Sequence, residues 1–284
     1  MSIEEKKGQC VYEFLRVINE AKPRFFVFEN VTGLLSSAIK HVSFYERMKM
    51  KEEEISPEER LGSAFEMILS EFKNTNYSLN WGIVNSADYG APQKRKRLII
   101  LGSREGKKIL LPPQTHGNPK NLDVICGQKN PWVTIKEAFK GLNESEPEYI
   151  PFPKWGKYMR YIPQGGNWRD LPEELKKEAM LGAFYSQGGR TGFYRRLSWD
   201  EPSPTLVTSP VFKGTVLAHP EDNRPLSVKE YARIQGFPDE WVFIDSTSAK
   251  YRIIGEAVPI PLSRALAKQI LKEIKKEEII SEKV

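Results

Sequence analysis

Residues 25–28, Phe-Phe-Val-Phe, lead into Glu29-Asn30-Val31, and this stretch limits the fold more than any other. Four consecutive apolar side chains, with Pro23 before them and Gly33 after, are the pattern of a strand buried on both faces of a parallel sheet. The expectation is an α/β fold. In open α/β sheets ligands bind beyond the carboxyl ends of the strands, which puts Glu29 where a reacting group is useful. Taken alone, a glutamate closing a strand reads as a solvated loop residue.

The flanking sequence supplies helices. Val11, Phe14, Leu15 and Ile18 recur at i, i+3, i+4 and i+7, one apolar helix face ending near Lys22-Pro23, and Phe65, Ile68, Leu69 and Phe72 repeat the spacing. Between them, residues 40–60 are charged with few apolar partners and read as an exposed excursion. Leu79–Asn85 and Leu98–Leu101 read as strands of a hairpin at the sheet edge. After Leu110-Leu111-Pro112-Pro113, and as far as Pro225, the chain is rich in Pro, Gly, Trp and Tyr, the signature of a second, loop-rich domain. Helices resume at Ser227, whose spacing to Glu230 is a capping box, and near Pro261, where Leu262, Ala265 and Leu266 form the buried stripe.

Composition narrows the partners. In 284 residues, 43 Lys and Arg against 37 Asp and Glu leave a net charge of +6, which favours an anionic partner. Cys10 and Cys126 have no paired spacing, so a reducing compartment is expected, and His41, His116 and His219 match no metal-ligand spacing. No apolar run approaches the roughly 20 residues of a membrane span, and the polar start is unlike a signal peptide. A soluble cytoplasmic protein without a metal is the expectation.

Several stretches could carry chemistry. Gln93-Lys94-Arg95-Lys96-Arg97 leads into a strand, and period-2 alternation sets Gln93, Arg95 and Arg97 apart from the lysines. Guanidiniums are rigid forks suited to carbonyl and phosphate oxygens. Gln164-Gly165-Gly166-Asn167-Trp168-Arg169 contains a turn that permits close backbone approach to a ligand. Arg195-Arg196-Leu197-Ser198 through Thr205-Leu206 joins cations and hydroxyls in a loop able to hold a phosphate backbone.

Five motifs occur in one order: Glu29-Asn30-Val31, Gln93-x-Arg95-x-Arg97, Arg195-Arg196-Leu197 with Pro202 and Thr205-Leu206, Arg233-Ile234-Gln235-Gly236-Phe237-Pro238, and Gly255-Glu256-Ala257-Val258-Pro259. That order resembles the C-terminal two thirds of the DNA (cytosine-5)-methyltransferases, over residues 8–270. The resemblance implies a partial Rossmann-like methyltransferase sheet with an inserted loop-rich target-recognition domain. Its implied bounds are 1–112 for the catalytic part, 113–217 for target recognition, and 218–284 for return helices completing the catalytic domain. It implies transfer of a methyl group from S-adenosylmethionine to C5 of a flipped cytosine in a specific sequence of double-stranded DNA, in a restriction–modification setting.

By the same resemblance Glu29 bonds the Watson–Crick edge of the cytosine, Arg97 grips its O2, and Arg95 stands beside it. Cys10, Ala257 and Val258 line the cofactor pocket. Gln93, Gln164, Gly165, Gly166, Arg169, Arg190, Arg195, Arg196 and Thr205 face DNA. The family's Gly-rich cofactor loop and Pro-Cys nucleophile are not in this sequence, and Glu256 stands where the family has asparagine. The expectation is therefore a subunit that works with a partner chain bringing the cofactor loop and the cysteine. A non-catalytic DNA-binding remnant and an RNA cytosine methyltransferase are the alternatives the sequence leaves open.

Overall fold

The computed structural model describes residues 10–185 and 192–281. The chain divides into two compact units, Met1–Val84 with Lys96–Pro113 and Leu266–Val284, and Asn85–Arg95 with Gln114–Ala265.

The first unit is built on a three-stranded sheet. Helix α1 (Cys10–Ala21) leads into strand β1 (Phe25–Val31), followed by the short helix α2 (Phe44–Arg47) and helix α3 (Ser63–Lys73). Strand β2 (Ser78–Asn85) comes next, and after the two-residue strand β3 (Gln93–Lys94) of the second unit the chain returns as β4 (Lys96–Ser103). The sheet order is β1-β4-β2. Both helix faces form as their spacing predicts: Val11, Leu15 and Ile18 of α1 and Phe65, Ile68 and Phe72 of α3 are buried, with Phe14 and Leu69 packed against the same core. Phe26 stacks on Phe72 with ring centroids 5.3 Å apart. It also lies so close to β4 that a Cβ on Gly102 would meet its ring at 2.0 Å, which explains a glycine inside a strand.

Strand β1 differs from the expectation in two respects. It pairs antiparallel with β4, Glu29 opposite Ile99 and Val31 opposite Arg97. Its burial also alternates, with Phe26 and Phe28 buried and Phe25 and Val27 half-buried. The cause is position: among the described residues β1 is hydrogen-bonded along one edge only, and α1 and α3 cover one face.

The second unit is made of short pieces. They are β3, β5 (His116–Gly117), α4 (Leu122–Ile125), β6 (Asn130–Pro131), α5 (Ile135–Ala138), α6 (Glu173–Met180), β7 (Arg195–Arg196), β8 (Ser203–Pro204) and β9 (Leu217–Ala218). They pair as three parallel ribbons, β3 with β8, β5 with β6 and β7 with β9. Helices α7 (Val228–Gln235) and α8 (Thr247–Glu256) follow, then α9 (Ile260–Ser281). The capping box opens α7 as its spacing predicts, Ser227 Oγ accepting from Glu230 N and Glu230 Oε2 accepting from Ser227 N.

Helices α7 and α8 pack inside the second unit. Tyr231 and Ile234 of α7 and Tyr251 and Ile254 of α8 share one core with Leu197, Leu206 and Leu217. The two tyrosine rings meet edge to face at 5.1 Å. Their buried hydroxyls donate to Val207 O at 2.8 Å and Leu226 O at 2.6 Å, so aromatic burial and hydroxyl satisfaction together tie both helices to the loops. No described helix is long and apolar enough to cross a membrane.

Candidate active site and nucleic-acid face

In the first unit the antiparallel register sets Glu29 and Arg97 diagonally across neighbouring strands, close enough for long side chains to meet. Arg97 Nε lies 2.7 Å from Glu29 Oε1, with the arginine side chain 11% and the glutamate 28% exposed. Arg97 Nη1 donates to Lys96 O. Burial lowers the pKa of this guanidinium and Glu29 opposes the shift, and an arginine so placed keeps its charge. A carboxylate and a fixed cation thus stand together at the end of β1, where neither could have been paired from sequence spacing alone.

The alternation expected of residues 93–97 is present in burial. Gln93, Arg95 and Arg97 are buried while Lys94 is half-buried and Lys96 exposed. Gln93, expected from the resemblance to face DNA, has partners inside the protein. Its side chain is fully buried and donates to Ile234 O at 3.2 Å and to Gln235 Oε1, while its own oxygen accepts from Leu206 N at 3.3 Å. Arg95, taken from the resemblance as catalytic, donates from Nη1 to Leu206 O at 2.8 Å and from Nη2 to Gly255 O at 2.9 Å. Gln235 donates in turn to Ala257 O. Four of the five sequence motifs are therefore one hydrogen-bonded cluster within the second unit, and their first task is to satisfy buried backbone carbonyls and amides. Gly255 belongs to that cluster because a Cβ there would lie 2.3 Å from Val207 O.

The adjacent arginines Arg195 and Arg196 divide their roles. Arg196 spends all five donors inside the protein, on Ile162 O, His219 O, Asp222 O, Met159 O and Asn223 Oδ1 at 2.6–2.8 Å. Expected from the resemblance to face DNA, this buried guanidinium commits every donor to partners within the protein. Arg195 is half-buried, its pKa lowered by burial, and its Nε is shielded without a partner among the described residues.

Arg195 lines a cavity of about 700 Å³ together with Gly165, Gly166, Ser198, Thr205 and Lys94. Gly165 has φ +75°, a conformation that favours glycine. A side chain on Gly166 would meet Pro163 O and Asp170 Oδ2 at 2.9 Å. Thr205 Oγ1 donates to Lys94 O, so its hydroxyl also braces the cavity wall. Gln164 lines a second cavity of about 520 Å³ with Trp199, Asp200 and Glu221. Arg169 is exposed, its guanidinium 5.9 Å from the Trp168 ring centroid. Arg190 lies outside the described residues.

Sequence reading missed Lys94, Ser198 and Glu201 as cavity residues, although Lys94 sits inside a motif that was singled out. Lys94 Nζ pairs with Glu201 at 2.7 Å across the β3–β8 ribbon, a pairing no local pattern announces. Of the cofactor candidates, Cys10 is exposed at the start of α1, and Ala257 and Val258 are half-buried between α8 and α9. Glu256 is exposed. No cluster of three metal-ligating side chains occurs among the described residues.

Comparison with known proteins accords with the geometry. The sequence profile of the C-5 cytosine-specific DNA methylases matches residues 1–272. The chain is 38% identical over 279 residues to the type II methyltransferase M.Eco47II of Escherichia coli, covering 95% of this chain and 59% of that protein. It is 34% identical over 275 residues to M.Sau96I of Staphylococcus aureus, covering 94% and 55% respectively. The chain thus spans little more than half the length of these curated relatives. Among solved structures, a putative DNA modification methyltransferase encoded within an E. coli prophage shares the fold, with a TM-score of 0.55 at 20% identity over 95% of this chain and 75% of that one. The matched profile runs through both units and all five motifs, and the chain belongs to the C-5 cytosine-specific DNA methylase family.

Proposed function

We propose that this chain is the target-holding part of a type II DNA (cytosine-5)-methyltransferase of a restriction–modification system. It binds double-stranded DNA at a specific sequence and holds one cytosine turned out of the duplex, because C5 and C6 are not reachable in a stacked helix. The Glu29–Arg97 pair carries this reading: an acceptor and a fixed cation stand side by side at the end of an apolar strand. Glu29 bonds the Watson–Crick edge and stabilises the ring as charge builds at N3, while Arg97 donates to O2. Arg95 acts at one remove, as a positioning residue that fixes Leu206 and Gly255. In the second unit Arg195, Lys94, Gln164, Arg169 and the Gly165–Gly166 turn meet the DNA, the cations on phosphates and the turn by close backbone approach.

Enzymes of this family take their methyl group from S-adenosylmethionine, which when bound supplies an electrophilic methyl to C5. By the resemblance, Cys10 of the first unit and Ala257 and Val258 of the second are the residues assigned to this cofactor, and none of the three side chains carries a charge. The contacts to its polar ends, and the thiolate that adds to C6, come in this proposal from a complementing polypeptide. Among the described residues β1 pairs along one edge only, which supports that reading, since an apolar edge strand is a template for another chain.

A methyl-transfer assay with labelled cofactor, run with this chain alone, with the complementing polypeptide alone and with both, tests the proposal. Incorporation only in the mixture is expected; incorporation by this chain alone would sink the requirement for a partner. Glu29→Gln separates enzyme from remnant, because a DNA-binding remnant loses nothing on that change.

A further inference from the structure

Two cavities of the second unit draw on the same loops and carry opposite charge. The larger takes Gly165, Ser198 and Glu201 together with Lys94, Arg195 and Arg196, so cations outnumber carboxylates on its wall. The cavity of about 520 Å³ takes the residues beside them, Gln164, Trp199 and Asp200, together with Lys136, Phe139 and Glu221. Here two carboxylates stand against one ammonium. A lining of that sign disfavours a phosphate, and apart from Gln164 the proposed DNA contacts leave this cavity unused.

Its aromatic walls are held in place by the protein itself. The rings of Phe139 and Trp199 stand at 89° to one another with centroids 6.0 Å apart. A third ring, His219, lies parallel to Phe139 at 6.3 Å and at 87° to Trp199 at 5.4 Å. Trp199 Nε1 donates to Glu221 Oε1 at 2.8 Å, and Lys136 N donates to Trp199 O at 3.0 Å. His219 Nδ1 accepts from Asp222 N at 3.0 Å and Glu221 N at 3.3 Å, which fixes the turn that carries Glu221. With its one donor spent, the indole offers a π-surface and no hydrogen bond. The exposed carboxylates of Asp200 and Glu221 have no cationic partner among the described residues. Rings at right angles beside unpaired carboxylates suit an organic cation: ring faces attract its charge and carboxylate oxygens accept its N–H groups.

We propose that this cavity binds an organic cation, an alkylammonium or guanidinium group, against Phe139 and Trp199 and paired with Asp200 and Glu221. Such a group arrives either on a free polyamine or on a lysine or arginine side chain of another polypeptide, and the recognising chemistry is the same. The inference goes beyond the DNA-cytosine reading and does not rest on it.

Isothermal titration calorimetry on the full chain at low salt, with spermidine, N-acetyl-lysine amide and N-acetyl-arginine amide as separate probes, tests the proposal. Saturable one-to-one binding of at least one cation is expected; a preference for spermidine identifies a free polyamine as the source, and a preference for a capped amino acid identifies a side chain. Trp199→Ala should weaken that binding by roughly 2- to 30-fold, the range that loss of one cation–π contact gives, and Trp199→Phe should keep most of it. Asp200→Asn and Glu221→Gln should each weaken it by roughly 1.4- to 5-fold, as for an exposed ion pair. Thermal melts of every variant separate lost binding from lost fold, and should Trp199→Ala fail to fold, the exposed Asp200→Asn decides. Glu240→Gln, a carboxylate outside the cavity lining, should change nothing; an equal loss there would mean diffuse adsorption of cations and overturn the proposal. Absence of saturable binding by all three probes would overturn it as well, and so would affinity unchanged in Asp200→Asn and Trp199→Ala. Binding of inorganic phosphate or of cytidine in place of the cations would assign the cavity to DNA and sink the inference.

Discussion

Replacing Gly255 by alanine sets two effects of opposite sign against each other. Gly255 lies within α8, where a glycine-to-alanine change should by helix propensity alone stabilise the fold by about 1 kcal/mol. The added Cβ, however, would sit 2.3 Å from Val207 O, 2.7 Å from Val207 C and 3.0 Å from Thr208 N. These are backbone atoms, so no rotamer change relieves the overlap, and ordinary contact begins only at 3.4 Å. The helix and the 206–208 segment must part by about 1 Å, a large displacement in a close-packed interior. That movement stretches the bonds from Arg95 to Leu206 O and Gly255 O, and the pair in which Tyr231 donates to Val207 O and accepts from Val207 N. Overpacking costs roughly 1–3 kcal/mol. Each bond from a charged donor is worth about 1.5–3 kcal/mol and is weakened rather than lost. After the propensity gain is subtracted, Gly255→Ala should destabilise the second unit by about 2–4 kcal/mol. Urea unfolding followed by tryptophan fluorescence measures it, and a shift of the midpoint at constant slope by about 1 M or more is expected. A midpoint that stays put or rises would show that propensity wins and that the contact with Val207 is not tight.

Four further outcomes are expected. Arg196→Lys can satisfy at most three of the five acceptors and should lower stability by roughly 3 kcal/mol or more in the same urea experiment, whereas Arg195→Lys should leave stability alone. Arg195→Ala should instead weaken binding to all duplexes and reduce the salt dependence of log affinity by about one unit, as read from binding titrations at several salt concentrations. In the reconstituted enzyme Glu29→Gln should lower methyl transfer by roughly 10²- to 10³-fold while DNA affinity is retained; unimpaired transfer would remove Glu29 from the chemistry. Burial holds the imidazole of His219 below its ordinary value of 6.5, against the opposing pull of Glu230, Asp222 and Glu221. The unfolded chain then binds more protons than the folded one just below that value, so stability should fall as pH drops through about 6.5. Thermal melts between pH 5 and 8 should show this slope, and His219→Gln should flatten it.

Local pattern settled more of the fold than of the site. The buried faces of α1 and α3 and the Ser227–Glu230 cap follow from spacings of three and four residues, which fix neighbours without reference to the rest of the chain. The alternation of Gln93, Arg95 and Arg97 was legible for the same reason, because a strand turns successive side chains to opposite sides whatever it pairs with. The motifs Gln-x-Arg, Thr-Leu, Ile-Gln-Gly and Gly-x-Ala-Val-Pro could be recognised as belonging together, and the structure supplies the reason in shared backbone hydrogen bonds.

What lay beyond sequence was every assignment that depends on a distant register. Glu29 meets Arg97 only because β1 pairs antiparallel with β4 in one register; a shift of one residue would send the carboxylate away from the cation. Arg195 and Arg196 are chemically identical neighbours lining the same cavity, and nothing local says which is spent on five internal acceptors and which keeps an unpartnered Nε. The ribbon with Leu217 and Ala218 decides that, since consecutive residues of a strand face opposite ways and the side that is buried is chosen by what packs there. The sequence by itself determined the residue types, the helix faces and the family order of the motifs. Tertiary structure decided which of those side chains are free to touch a substrate, because buried polar groups must first be satisfied by partners that only the folded chain brings near.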